Sequence, residues 1–336
     1  MVRFDYGQSL VVTKAPLRVS FAGGGTDIDY YYKKYEGAFI SSTINKYVYV
    51  TVKKHEDIFN EKYRLNYAES EICNSIGSIR NEIVKECIKL IKLPYPLYIS
   101  TISDVPSSSG LGSSSSFTVA LLLALHTLRG DKVNAAQIVE EAVYIEVSKL
   151  RKPIGKQDQL AAAYGGLNFY QISRNGEVNI KPLAASKSNI VKIFDNSFLL
   201  WTGISRHSEN ILSDQKLNRL KNIENLNFLK RQALDLYDLF RSNLEINKLA
   251  SFLNEGWAKK KKLTSKMTSK KIDLLYESLI KEGAKGGKVC GAGGGGFILM
   301  LTDKKKKELI KNKFKSFKFL DIQYEPSGAE IILNAK

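Results

Sequence analysis

Two carboxylates and a run of serines are the residues of this chain whose types and spacing best suit chemistry. Glu146 shares a helical stripe with Val139, Ala142, Val143 and Leu150, within a predicted helix from Ala135 to Leu150. That spacing turns it toward the apolar face. An ionised carboxylate there needs a partner, and either a metal ion or a buried ion pair supplies one. Asp158, in PIGKQDQLAAAYGG, begins a short predicted helix from Gln157 to Tyr164, closed by Gly165 and Gly166. The helix dipole favours its charged form, whether it reacts or only caps the turn. The third feature is SSSGLGSSSS, Ser107 to Ser116, where every residue but Leu111 is serine or glycine. Such a composition suits a flexible linker, but both flanks are structured. A β-branched stretch, Tyr95 to Ser103, reads as a strand, and FTVALLLALHTL belongs to a buried helix from Ser114 to Leu128.

A strand, a glycine loop and a helix N-terminus in succession form an anion site, because the loop amides and the unpaired helix donors converge. A capped helix behind a loose loop is the plainer reading of the same residues. Ser113, Ser114 and Ser115 fall at the cap and first turn, where a hydroxyl can cap the backbone or ligate a metal. No lysine follows Gly112, which excludes the Walker pattern. GLGSSS approaches a dinucleotide fingerprint, with Asp131 lying 21 residues after Gly110. Asp131, however, sits in a turn into the next helix and not at the end of a second strand.

The elements that must position these groups alternate without a strict βαβ rhythm. Strands are expected at Leu10 to Thr13, Leu17 to Ala22, Ala38 to Thr43 and Tyr47 to Lys53, and a helix at Ser78 to Ile91. Residues Leu183 to Ile193 read as a crossover into a second half. That half holds a strand at 198–203, helical periodicity through about Leu279 and a hairpin at 288–301, with a lysine-rich helix and a last strand near Ala329 to Leu333. The pattern predicts an α+β fold in two domains, 1–185 and 186–336.

Composition adds bounds. The chain has 336 residues, 51 Lys and Arg against 34 Asp and Glu, and a net charge of +17. The lysines cluster in runs such as Lys259 to Lys262 and Lys304 to Lys307, inside helical periodicity where Leu309, Ile310, Phe314 and Phe317 can form a buried stripe. Those runs read as solvated helix faces, without the stacking aromatics of an RNA module. Cys73, Cys87 and Cys290 lack CxxC spacing and fit a reducing cytosol. No apolar run approaches bilayer length, so a soluble cytoplasmic protein is expected.

Three motifs then carry a resemblance. PSSSGLGSSSS (106–116) resembles the ATP-phosphate loop of the GHMP small-molecule kinases. APLRVSFAGGGTD (15–27) is similar to that family's N-terminal substrate motif, and KVCGAGGGGFILML (288–301) to its C-terminal glycine-rich motif. The three occur in the family's order and span most of the chain. Within the family, AGGGTD and WTGISRHSENIL (201–212) look most like the kinases of sugar anomeric hydroxyls, especially those acting on heptose 7-phosphate. GGG in place of the acidic GEH of galactokinase-like enzymes argues against galactose.

The resemblance implies a two-domain GHMP-kinase fold with the active site between the domains. It implies transfer of the γ-phosphate of ATP to the 1-hydroxyl of D-glycero-D-manno-heptose 7-phosphate, for nucleotide-activated heptose and surface polysaccharide. ATP would lie against Pro106, Ser107, Ser108, Ser109, Gly110, Leu111, Gly112, Ser113, Ser114 and Ser115. Mg²⁺ would be held by Ser114 and Glu146, the latter twelve residues before the catalytic aspartate position at Asp158. Arg18 would assist Asp158. The sugar would meet Gly24, Gly25, Thr26, Asp27, Gly293 and Gly294; Asp27 could instead cap the helix after it, and the CGAGGGG glycines could be a purely structural turn. Arg206 is the candidate for the distal phosphate, with Arg151, Lys152 and Lys156 as alternatives. A fucokinase-like enzyme of an unphosphorylated sugar is the neighbouring expectation, and a basic nucleic-acid-binding protein the distant one. No nucleic-acid or membrane partner is expected, and a homodimer is left open.

Overall fold

The computed structural model describes residues 9–183, 187–205, 208–241 and 244–335. The first half runs β1 (Leu10–Ala22), α1 (Asp29–Tyr35), β2 (Gly37–Lys54), β3 (Tyr63–Asn66), β4 (Ser70–Cys73), α2 (Glu82–Ile91) and β5 (Leu97–Ser103). It continues through α3 (Ser113–Arg129), α4 (Ala135–Val143), α5 (Gln157–Tyr164), β6 (Leu167–Ile172) and β7 (Val178–Pro182). The second half comprises α6 (Lys187–Asp195), β8 (Ser197–Trp201), α7 (Ser208–Leu217), α8 (Ile223–Arg241), α9 (Ile246–Lys260) and α10 (Lys270–Lys281). It closes with β9 (Gly286–Val289), β10 (Phe297–Leu301), α11 (Lys304–Lys313), β11 (Lys318–Leu320) and β12 (Glu330–Ala335).

The first sheet follows the order β12-β1-β2-β5-β3-β4, with β6 and β7 extending from the other part of β2. β2 changes neighbours along its length: Val48 to Lys54 pair with β5, and Gly37 to Ser42 with β6. The four strands expected between Leu10 and Lys53 are therefore two. Pro16 and Asn45 look like breaks because proline lacks a donor and asparagine favours turns. Here β1 stays paired with β2 past Pro16 through a register shift between Pro16 and Leu17. The second sheet, β11-β8-β10-β9, is antiparallel. Its hairpin β9–β10 carries the expected glycine-rich turn. The last strand, β12, returns to pair with β1 of the first sheet.

Two cores hold these layers. The larger joins Val19 of β1, Val50 and Val52 of β2, Leu121 and Leu125 of α3, and Leu236 and Phe240 of α8. Phe240 meets Phe21 edge-on at 6.5 Å, and Tyr237 stacks on Phe169 at 4.5 Å, so a second-half helix packs on first-half strands. The smaller core surrounds Phe198, Leu200, Ile298, Met300 and Trp257, and takes in Tyr31 of α1.

Other expectations shift for local reasons. The helix from Ala135 to Leu150 is α4 followed by a π-helical turn, Tyr144–Lys149, closed by the Leu150 amide on the Ile145 carbonyl. The helix expected from Ser78 begins at Glu82, where Asn81 accepts from the Val84 amide as a cap. Helix α6 begins within the expected 183–193 crossover and runs on to Asp195, and the long helical stretch is broken into separate helices. On α11 Ile310 is buried, but Leu309 is exposed and leaves the expected stripe. The hairpin β3–β4 and the strands β7 and β11 are short, part-exposed elements with weak apolar alternation.

Candidate active site

The serine–glycine loop ends β5 and begins α3. Gly110 (φ +83°) and Gly112 (φ +81°) adopt the left-handed backbone that glycine tolerates, and Gly112 occupies the helix N-cap. A Cβ on Gly110 would meet the Cys290 carbonyl oxygen at 2.8 Å. The loop thus lies directly against the CGAGGGG turn, and the Phe297 amide donates to the Ser109 carbonyl at 3.0 Å. No acidic residue stands in the first turn of α3, which leaves its positive end bare.

A cavity of about 250 Å³ opens at that end. Ser108, Gly110, Gly112, Ser113, Ser114 and Ser115 line it, whereas Pro106, Ser107, Ser109 and Leu111 do not. Leu111 is a core side chain whose carbonyl accepts from the Arg18 amide at 3.0 Å, and Ser109 is fully buried. Opposite, Arg18 grips Asp158 with two hydrogen bonds, Nε to Oδ1 at 2.8 Å and Nη2 to Oδ2 at 2.7 Å. Its remaining nitrogen, Nη1, donates to the Gly110 carbonyl at 2.7 Å. One guanidinium therefore fixes the aspartate relative to the loop. The Arg18 side chain is 6% exposed and that of Asp158 31%, so the aspartate keeps lone pairs facing the cavity.

Glu146 is fully buried on the π turn, as its stripe requires, and lines the same cavity. Its Oε2 accepts from Gln159 Nε2 at 2.6 Å, and its Oε1 lies 3.2 Å from Ser114 Oγ. Lys152 Nζ stands 3.1 Å from that hydroxyl and 3.4 Å from Glu146 Oε1. The ion-pair and metal readings of Glu146 therefore meet at one point. An octahedral magnesium with oxygens at about 2.1 Å holds neighbouring ligands about 3 Å apart, and it keeps its other positions for phosphates and water. Ser114 and Glu146 fit that requirement. Lys152 makes this ion pair, so it is not a free phosphate-gripping group, and Lys156 turns away to the Gly176 carbonyl at 2.8 Å.

Of the residues expected to meet the sugar, Gly24, Gly25, Asp27 and Gly293 line the cavity. Asp27 does not cap α1, whose N-cap is Ile28; it accepts from the Gln157 amide at 3.0 Å and the Gly25 amide at 3.2 Å. Burial, with the nearby Asp158 charge adding to it, raises its pKa above the usual carboxylate value despite those amides. Two expected contacts are placed otherwise. Thr26 is fully buried, its hydroxyl between the Gly23 and Ala38 carbonyls at 2.8 and 2.9 Å, where it braces the loop. Gly294 is spent on a 2.7 Å bond from its amide to the Met267 carbonyl. Arg206 lies outside the described residues.

Several cavity groups escape a reading of the sequence. Ser20 sits on the same face of β1 as Arg18, two residues on, and Gln157 precedes Asp158. Lys260 is the notable case. It belongs to the lysine run expected to be solvated, yet it is 8% exposed and lines the cavity. Its stripe of Leu249, Leu253, Gly256 and Lys260 has helical spacing and was the available signal.

The chain is also similar to known proteins. Residues 82–166 match the model of the GHMP kinases N terminal domain and 236–319 that of the GHMP kinases C terminal. The chain is 34% identical over 296 residues to D-glycero-alpha-D-manno-heptose 7-phosphate kinase of Campylobacter jejuni, spanning 84% of this chain and 86% of that one. It is 27% identical over 210 residues to the bifunctional fucokinase/GDP-fucose pyrophosphorylase of Arabidopsis thaliana, which covers 59% of this chain but 19% of that protein. The crystal structure of a D-glycero-D-manno-heptose 1-phosphate kinase from Bacteroides thetaiotaomicron superposes with a TM-score of 0.79 at 26% identity, covering 96% of this chain and 99% of that one. No helix among the described residues is long and apolar enough to cross a membrane. By these matches the chain belongs to the GHMP kinases, as an ATP-dependent sugar kinase.

Proposed function

We propose that the enzyme phosphorylates the anomeric hydroxyl of D-glycero-D-manno-heptose 7-phosphate, giving the 1,7-bisphosphate on the way to nucleotide-activated heptose. The observation that carries this reading is the Arg18–Asp158 pair, bidentate at 2.8 and 2.7 Å, beside the amides of the Gly110–Ser115 loop. Similarity to the Campylobacter jejuni heptose 7-phosphate kinase supports the choice of sugar.

In this reading the loop amides and the N-terminus of α3 bind the triphosphate. Ser114 and Glu146 would hold Mg²⁺, which would neutralise phosphate charge. Asp27 accepts hydrogen bonds from sugar hydroxyls, and Gly25 lets the ring approach the backbone. Asp158 orients the 1-hydroxyl and accepts its proton as the oxygen attacks the γ-phosphorus and the bond to the β-phosphate oxygen breaks, releasing ADP. Arg18 holds Asp158 in place and offsets the negative charge that gathers there. Catalysis is then mostly positioning, and the positions are set by one arginine shared between strand, loop and helix.

The test is a panel of sugars and sugar phosphates with Mg·ATP, followed by ADP release. Heptose 7-phosphate is expected to lead in kcat/KM by orders of magnitude. A lead by an unphosphorylated sugar such as fucose overturns the choice of acceptor.

A further inference from the structure

The cations of the cleft fall into two kinds. Arg18 is matched by Asp158 and Lys152 by Glu146. Lys260 and Lys288, 8% and 6% exposed, form no ion pair among the described residues. Lys260 Nζ donates instead to the Gly291 carbonyl. A buried ammonium without a counter-charge is costly, and a ligand that supplies one removes that cost. Burial foremost, and the Arg18 charge next, push Lys260 down to about 8; burial and then the charge of Lys260 push Lys288 down to about 7. Asp27, Asp158 and Cys290 face Lys260 from the other elements around it.

A second group points to the same space. Ser20 Oγ is buried, lines the cavity and has no hydrogen-bond partner among the described residues. The two converge over Gly24. A Cβ built there would lie 3.7 Å from Lys260 Nζ, 3.8 Å from Ser20 Oγ and 3.9 Å from Gln157 Oε1. Gly24 has no left-handed backbone to explain its identity, so what it provides is room. An orphan ammonium and an orphan hydroxyl thus border an open volume on the loop that also carries Asp27.

We propose that Lys260, assisted by Ser20, binds the acceptor's own phosphate in the space above Gly24. The assignment rests on the reading of the acceptor as a phosphorylated sugar, and it needs no contribution from Arg206. The phosphoryl group in transit from ATP has the same chemistry and is the other source of a phosphate near Lys260. Gly24, Ser20 and Asp27 all belong to the strand and loop of the acceptor side, which favours the acceptor.

Lys260→Met tests this, with heptose 7-phosphate and unphosphorylated heptose as paired acceptors and retained ATP affinity as the check on folding. The expected result is a KM for heptose 7-phosphate raised about 10- to 100-fold, the worth of a charged hydrogen bond, with kcat nearly intact. The constants for unphosphorylated heptose are expected to stay put. Gly24→Ala, whose methyl group meets nothing closer than 3.7 Å, should fill the space and raise the same KM. Calorimetry of heptose 7-phosphate binding to the wild-type enzyme at pH 8.5, in two buffers of different ionisation heat, adds an independent readout. The acceptor phosphate is already a dianion there, so proton uptake reports a lysine that recharges on binding, and Lys260→Met should abolish it. An unchanged KM in Lys260→Met overturns the assignment. A kcat loss shared equally by both acceptors assigns Lys260 to the transferring phosphoryl group and overturns it too. A wild-type enzyme indifferent to the acceptor's phosphate defeats the phosphorylated-sugar reading first; a wild type that demands it, with Lys260→Met unaltered, defeats the Lys260 assignment alone.

Discussion

The two ends of α3 are built on opposite plans. At the N-terminus, Gly112 caps the helix without a side-chain bond, and the first turn of serines holds no acid. At the C-terminus, Gly130 and Asp131 return their amides to the His126 carbonyl and its neighbour, while the buried His126 ring is clasped on both nitrogens. Asp131 binds Nδ1 at 2.6 Å and Glu141 binds Nε2 at 2.7 Å, with Arg129 against Asp131. One end leaves its first turn without an acid or a side-chain cap; the other meets its imidazole and its charges from within the protein. Unsatisfied polar groups in a folded chain are therefore not defects to be averaged over. Their position along a single helix separates the working end from the anchoring end.

If that division holds, substitutions at the open end cost turnover. The largest effect is expected at Asp158. Asp158→Asn preserves shape but weakens both the grip of Arg18 and the acceptance of a proton, and kcat should fall roughly 10²- to 10⁴-fold. ADP release under saturating substrates measures it, and near-normal turnover would remove Asp158 from the reaction. Glu146→Gln comes next. It keeps the volume beside Gln159 and Ser114 while deleting the charge, and half-saturating Mg²⁺ should rise about 10- to 100-fold. Lys152, left without its counter-ion, gives a second sign: the variant should bind ATP in the absence of metal at least as well as the wild type. An unaltered magnesium requirement would leave Glu146 with only its ion pair.

How much of this was legible in the chain depends on whether a residue advertises itself locally. The anion loop did, because a strand and a buried helix are seldom joined by glycines and serines unless the backbone amides between them are put to use. Glu146 did, because the periodicity of Val139, Ala142 and Leu150 carries it inward even though the last turn is π-helical. Lys260 did not. Four consecutive lysines look like a wetted surface, and only the stripe from Leu249 shows that one of them faces inward. Thr26 read as a ligand contact together with the rest of its motif; its burial between the Gly23 and Ala38 carbonyls depends on where β2 lies. The continuity of β1 across Pro16 is likewise tertiary: β2 supplies the pairing that a proline denies locally. β3, β4 and β7 have too few buried residues for alternation to register.

The closed end of α3 should answer to pH where the open end answers to ligands, and with the smallest effect of the three. Burial opposes charge on the His126 imidazole, but the hydrogen bonds and charges of Glu141 and Asp131 prevail and hold its pKa above the ordinary 6.5. A raised folded-state pKa stabilises fully below the unfolded value and loses that contribution as pH rises through the folded one. The same contacts lower Glu141 and Asp131, although burial works against both, and that contribution is present above their ordinary values and lost in acid. The cluster should therefore contribute most between about pH 5 and 6.5, and weaken above it by about 1.4 kcal/mol per unit of histidine shift. Thermal melts of wild type and His126→Gln across pH 5 to 9 isolate the contribution, since other titrating groups cancel in the difference. The gap between the two curves should narrow as pH rises. A gap that stays constant would mean that the ring is held for its shape, and the contrast between the two ends of the helix would then be one of packing and not of charge.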